Sequence, residues 1–112
     1  MTQESINISE LEKSSISKPL VLDQFTADPS AHVFDNKIYI YPSHDIDAGI
    51  PFNDNGDHFG MRDYHVFIMN DPSDSNAKDL GKILDIDDVP WAKRQMWAPD
   101  IAKKDGKYYF YF

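Results

Sequence analysis

The chain has 112 residues, no cysteine, four histidines and a formal net charge of −8, from 11 Lys and Arg against 19 Asp and Glu. That length allows one domain, and without cysteine there is no disulfide framework, thiol nucleophile or thiolate metal site. The acidic balance argues against a nucleic-acid or anionic-membrane surface, because phosphate recognition depends on clustered Lys and Arg. No window approaches the ~20 apolar residues of a membrane-spanning helix.

Residues 1–18 are polar and rich in Ser and Glu, with neither a basic nor an apolar segment of the kind that directs export. As written, the chain is expected in the cytoplasm. Ser9-Glu10-Leu11-Glu12 can begin a short helix, but no sustained apolar stripe follows, so residues 1–18 read as a flexible leader. Residues 19–112 read as the folded part. The chain is 41% hydrophobic, enough to build a core, and its first aromatic is Phe25.

Pro19-Leu20-Val21-Leu22 reads as extended. Ala31-His32-Val33-Phe34 is a strand, Asp35-Asn36 a two-residue turn that tolerates left-handed backbone, and Lys37-Ile38-Tyr39-Ile40-Tyr41 the returning strand, ended by Pro42. A long loop dense in Asp, Asn, Gly and Pro spans His44 to Gly60. Tyr64–Met69 is the next strand, closed by Asn70-Asp71-Pro72, and Leu80–Leu84 a weaker one. A helical turn can precede the loop Asp87–Trp91. A second hairpin follows Pro99, with Asp105-Gly106 as its turn and Lys107–Phe112 returning.

The two turn-Lys-aromatic units echo each other about 70 residues apart, a spacing that fits a propeller blade enlarged by one long loop. The fold class is therefore all-β. The chain stops on Tyr108-Tyr109-Phe110-Tyr111-Phe112, an apolar strand without a partner, which reads as a truncation.

Three segments carry candidate chemistry. Asp28 stands before Pro29, which holds it extended at the entry to the first strand, where propellers turn side chains toward their axis. Asp-Pro pairs are also common turn formers, and taken alone the turn reading is favoured. His44 and Asp45 enter the long loop together, where they can form a His–carboxylate pair or a polar grip on a substrate hydroxyl, although taken alone the solvated-loop reading is favoured. Trp97 precedes a strand and can offer a flat apolar face to a sugar ring, although most tryptophans are core; Asp100 after Pro99 can cap a turn or face the site.

Asn53-Asp54-Asn55-Gly56-Asp57 has only a superficial likeness to a calcium loop, lacking both the Gly and the terminal Glu such a loop needs, and reads as a surface turn. The four histidines show no close metal-ligand spacing. There is no Gly-rich phosphate loop or Gly-x-Ser-x-Gly elbow. No cofactor and no metal are expected.

Ala27-Asp28-Pro29-Ser30, the His32–Tyr41 hairpin, Ser43-His44-Asp45, Met61–Phe67, Met96-Trp97-Ala98-Pro99-Asp100-Ile101 and Asp105–Tyr109 together, in this order and spacing, resemble glycoside hydrolase family 43. The likeness runs over residues 20–112 and looks closest to the β-xylosidase and α-L-arabinofuranosidase members. It implies a five-bladed β-propeller with its site on the axis, and an inverting mechanism on xylosides or arabinosides using three acidic residues. Asp28 matches the general base, and Trp97 would help line the pocket together with His44 and Asp45.

The second Asp, which tunes the acid, and the general-acid Glu have no counterpart here, and Asp100 does not fill either role. A calcium ion is known on the axis of some family members, but its His ligand would also lie beyond this chain. Five four-stranded blades need roughly 160–240 residues, so residues 19–112 would supply the first blade and part of the second, and the chain alone would be inactive and prone to aggregate. Two readings of other classes stand beside this one. One is a non-catalytic carbohydrate-binding or self-associating β module; the other is a small β-domain with an unrelated structural role.

Overall fold

A computed structural model describes residues 8–112. Seven strands follow one short helix, α1 (Ile8–Ser14): β1 (Phe25–Phe34), β2 (Lys37–Asp47), β3 (Phe59–Gly60), β4 (Asp63–Met69), β5 (Lys78–Asp85), β6 (Asp100–Lys104) and β7 (Lys107–Tyr111). The all-β expectation holds for the folded part. α1 occupies part of the leader expected to be flexible, with Glu10 in its first turn and Lys13 in its last, the arrangement the helix dipole favours. Residues 1–7 of the leader lie outside the described residues.

The main sheet runs β1-β2-β4-β5, every neighbour antiparallel, with β3 added to the far end of β2. This is the four-stranded meander of one propeller blade. Among the described residues, β6 and β7 pair only with each other. Both hairpins turn where two consecutive residues take positive φ, Asp35 and Asn36 at 51° and 61°, Asp105 and Gly106 at 52° and 75°. Turns of that hand match the twist of the strands they join.

Pro42 does not end its strand. β2 continues to Asp47 because the β1–β2 register breaks between Ala27 and Ser30: Ser43 pairs with Ala27 and Tyr41 with Ser30, leaving Pro42 opposite the bulge. On its other side β2 pairs with β4 only at Ile38, Tyr39 and Ile40. No ladder bond asks for an amide at Pro42, so its missing N–H does no harm. The long loop is correspondingly shorter than expected at both ends. Pro19-Leu20-Val21-Leu22 forms no strand; the Ala77 amide donates to the Leu20 carbonyl at 2.9 Å and holds the segment beside β5.

Alternation along β2 divides its side chains between the two faces of the sheet. Tyr41 packs with Val66 of β4 and Ile101 of β6, with Phe34, Tyr39 and Phe110 around them. A second cluster gathers Met61, Tyr64, Ile86, Val89 and Met96, again with Phe110 against it. Phe110 thus wedges the β6–β7 hairpin against the sheet through both clusters. Burial without a hydrogen-bond partner pushes the Tyr64 hydroxyl up to about 12.

Candidate functional site

The bulge that spares Pro42 also forms the site. Asp28 sits inside it with φ 48°, not in the extended backbone expected before Pro29 but in a left-handed conformation that the bulge imposes, which Asp tolerates better than most side chains but which still carries strain. Across the bulge Asp45 lies two residues beyond Ser43 on β2, on the same face. Asp28 and Asp45 line one cleft of about 450 Å³, together with Ala27, Phe59, Gly60 and Trp97. Burial raises the Asp45 carboxyl above its ordinary value, and the Asp28 charge adds to the rise against an opposing pull from His44. The cleft therefore holds two carboxylates side by side.

One wall is aromatic. Trp97 and Phe59 lie with ring centroids 5.1 Å apart, tilted to each other, and His58, also lining the cleft, lies tilted against Phe59 at 4.1 Å. Trp97 is 44% exposed and Phe59 40%, so neither ring is core; both offer a face to whatever enters. Carboxylates beside an open indole suit a polyol ring, whose hydroxyls need acceptors and whose C–H faces need an apolar plane.

Three contacts fix these walls. Ser43, fully buried, accepts a hydrogen bond on its hydroxyl from the Ala98 amide at 2.8 Å, and Ala98 is itself left-handed at φ 54°. Because Ser43 also pairs with Ala27 in the ladder, one residue ties the backbone beside Asp28 to the backbone beside Trp97. Gln95 donates through Nε2 to the carbonyls of Gly56 and Phe59 at 2.8 and 2.9 Å, pinning the long loop to the Trp97 segment. Gly60 lets β3 approach closely, since a Cβ there would stand 3.1 Å from Ala48 Cβ and 3.2 Å from the Ile46 carbonyl.

The sequence-derived candidates separate into two groups. Asp28, Asp45 and Trp97 converge on the cleft. His44 does not pair with Asp45, because neighbours on a strand point to opposite faces; its Nδ1 lies 2.6 Å from Asp63 Oδ1 on the far side of the sheet. Asp100 leaves the cleft to bind His32 at 2.7 Å, and that hydrogen bond, aided by the Ile101 amide, holds its carboxyl below the ordinary range.

The Asn53–Asp57 loop is a turn closed on itself. Asn53 Oδ1 accepts from the amides of Asn55 and Asp57, and the Asp57 carboxylate bonds Arg94. Phe59 and Ser43 are not read as site residues from the sequence. Their signal lies in the fold, where β3 and the buried hydroxyl become wall and pin.

No family model matches the sequence. Curated relatives do. The chain is 57% identical over 93 residues to a xylosidase/arabinosidase of Bacteroides ovatus, covering 83% of this chain. It is 57% identical over 96 residues to xylosidase/arabinosidase 43A of Humicola insolens, covering 84%. Each match spans only 29% of the relative's own length.

Among solved structures, a GH43 β-xylosidase/α-arabinofuranosidase from a compost microbial metagenome, in complex with xylotriose, aligns with TM-score 0.81 and 66% identity. It covers 88% of this chain and 29% of that one. The GH43_1 enzyme of Xanthomonas citri complexed with xylose aligns with TM-score 0.76 and 53% identity, covering 94% of this chain and 29% of its own.

Proposed function

With the chain's membership of glycoside hydrolase family 43 as the premise, we propose that it contributes the general-base side of a site that hydrolyses xylosides or arabinosides with inversion. The observation that carries this reading is the convergence of Asp28, Asp45, Trp97 and Phe59 on one cleft. Asp28, held in the bulge, takes the proton of a water that attacks the anomeric carbon. Trp97 and Phe59 pack the sugar's apolar faces, and Asp45 accepts hydrogen bonds from its hydroxyls.

Inversion requires the base and the acid to stand roughly 6.5–9.5 Å apart, with room for that water. The acid Glu and the Asp that tunes it come, in this reading, from parts of a longer protein outside these 112 residues. The relatives' complexes with xylotriose and xylose support a pentose substrate.

The test follows the full-length protein on an aryl xyloside and an aryl arabinofuranoside by NMR. The first-formed sugar is expected with the anomeric configuration opposite to the substrate's. Product with retained configuration removes the base role for Asp28. Binding of xylo-oligosaccharides with no turnover would make this a carbohydrate-binding module instead.

A further inference from the structure

The face of the sheet turned away from the cleft holds a cluster that hydrolysis does not use. β2 and β4 are laddered at Ile38–Ile40 and then part; β2 goes on to pair with β3 at Ile46 and Asp47. Three side chains occupy the gap between the splayed strands. His44 comes from β2, and Asp63 and His65, two apart and therefore on one face, come from β4. One ligand-capable atom from each falls within 4.8 Å of the others. Each side chain remains about one-fifth exposed, so the cluster has an open side.

The arrangement around His65 is the informative part. Asp79 of β5 holds His65 Nδ1 at 2.9 Å and is itself fixed by the Gly81 amide and by Gln24 Nε2. An anionic carboxylate on Nδ1 places the proton there and turns the Nε2 lone pair outward. This is the carboxylate–histidine arrangement found behind metal-bound imidazoles.

Nε2 points to Asp63 Oδ2 at 3.4 Å, too long for a good hydrogen bond. It matches an edge of a tetrahedral coordination shell, where ligands at 2.0–2.1 Å from the ion stand about 3.3 Å from each other. His44 Nδ1 lies 2.6 Å from the other carboxylate oxygen, Asp63 Oδ1; that contact is a hydrogen bond, and it must open and the carboxylate turn for one oxygen to serve both imidazoles in such a shell.

We propose that His44, Asp63 and His65 form a three-ligand site for a divalent first-row transition ion of the zinc class, clamping β2 to β4 where their ladder stops, with its fourth position open to water. Two imidazoles and one carboxylate select such ions over calcium and magnesium, which prefer shells made of oxygen. The site does not rest on the hydrolytic reading, since it lies on the opposite face of the sheet from Asp28 and Asp45.

The test uses the full-length protein, stripped with a chelator and titrated with Zn2+ alone against a chromophoric competitor, beside His65→Gln and Asp79→Asn. The wild type is expected to bind one equivalent more than His65→Gln, and Asp79→Asn to bind that equivalent roughly ten- to a hundredfold more weakly. Calcium in excess should leave the titration unchanged. Imidazole 15N spectra of the unmutated protein keep the outcome readable even if a variant misfolds, since Zn2+ must shift the ring nitrogens of both His44 and His65. Equal stoichiometry in wild type and His65→Gln, or unshifted ring nitrogens in the wild type, makes the cluster a hydrogen-bonded tie between strands and overturns the proposal.

Discussion

The two hairpins of this chain share one local plan and reach different ends. β1–β2 and β6–β7 each turn through two left-handed residues and each resume on a lysine, with aromatics alternating with isoleucines along β2 and following one another along β7. β6–β7 pairs in unbroken register from Asp100↔Tyr111 to Lys104↔Lys107. β1–β2 breaks register at Ala27–Ser30, and that single bulge puts Asp28 into a strained conformation beside Asp45. The regular hairpin supplies packing surface; the irregular one carries the proposed base. A blade is thus a repeated support that becomes a site where one strand departs from the repeat.

The largest effect should come from separating the two hairpins. Among the described residues, Phe110 alone packs against both apolar clusters, so Phe110→Ala should lower stability by about 2–3 kcal/mol, a part-buried fraction of the usual core cost. Denaturant titration measures it, and a loss under 1 kcal/mol would mean the hairpin docks by other contacts. Trp97→Ala should leave the fold intact and weaken xylotriose binding five- to thirtyfold, equivalent to about 1–2 kcal/mol; unchanged affinity by calorimetry would remove the aromatic wall from recognition.

At the turns the comparison sharpens further. Asn36→Val and Gly106→Val both force a β-branched residue to positive φ, at a cost of roughly 1–2 kcal/mol. A Cβ at Gly106 meets nothing within 4 Å, so its cost is backbone alone, and thermal melts should show a drop for each variant. The smallest effect concerns Asp45. Its folded-state value lies above 3.8, so the folded protein holds that proton more tightly than the unfolded chain and loses stability as pH climbs from 3.8 through the folded value. Asp45→Asn should therefore raise Tm slightly at pH 7, with the gain vanishing below about pH 4; a gain independent of pH would point to a cause other than charge.

Periodicity made the strands legible, and the Asp35-Asn36 and Asp105-Gly106 pairs made both turns legible, because those signals are local. Pro42 misled because a proline stops a strand only where a ladder needs its amide, and the bulge opposite it is a property of the pairing rather than of the residue. His44 and Asp45 looked like partners because they are neighbours in sequence, yet strand geometry sends them to opposite faces and gives His44 to Asp63. The spacing of Asp63 and His65, two apart on a strand, was the readable half of that cluster; its other half arrives only when β2 lies beside β4. Asp28 was singled out by its proline and by family likeness, while Phe59 and Ser43 acquire their roles only in the assembled blade.

The central claim is that Asp28 activates the attacking water. It is tested most directly by comparing wild type with Asp28→Asn in the full-length protein, measuring kcat on an aryl xyloside together with affinity for xylotriose. The account predicts a fall in kcat of about 10²–10⁴ with affinity nearly unchanged. Turnover within threefold of wild type would contradict it.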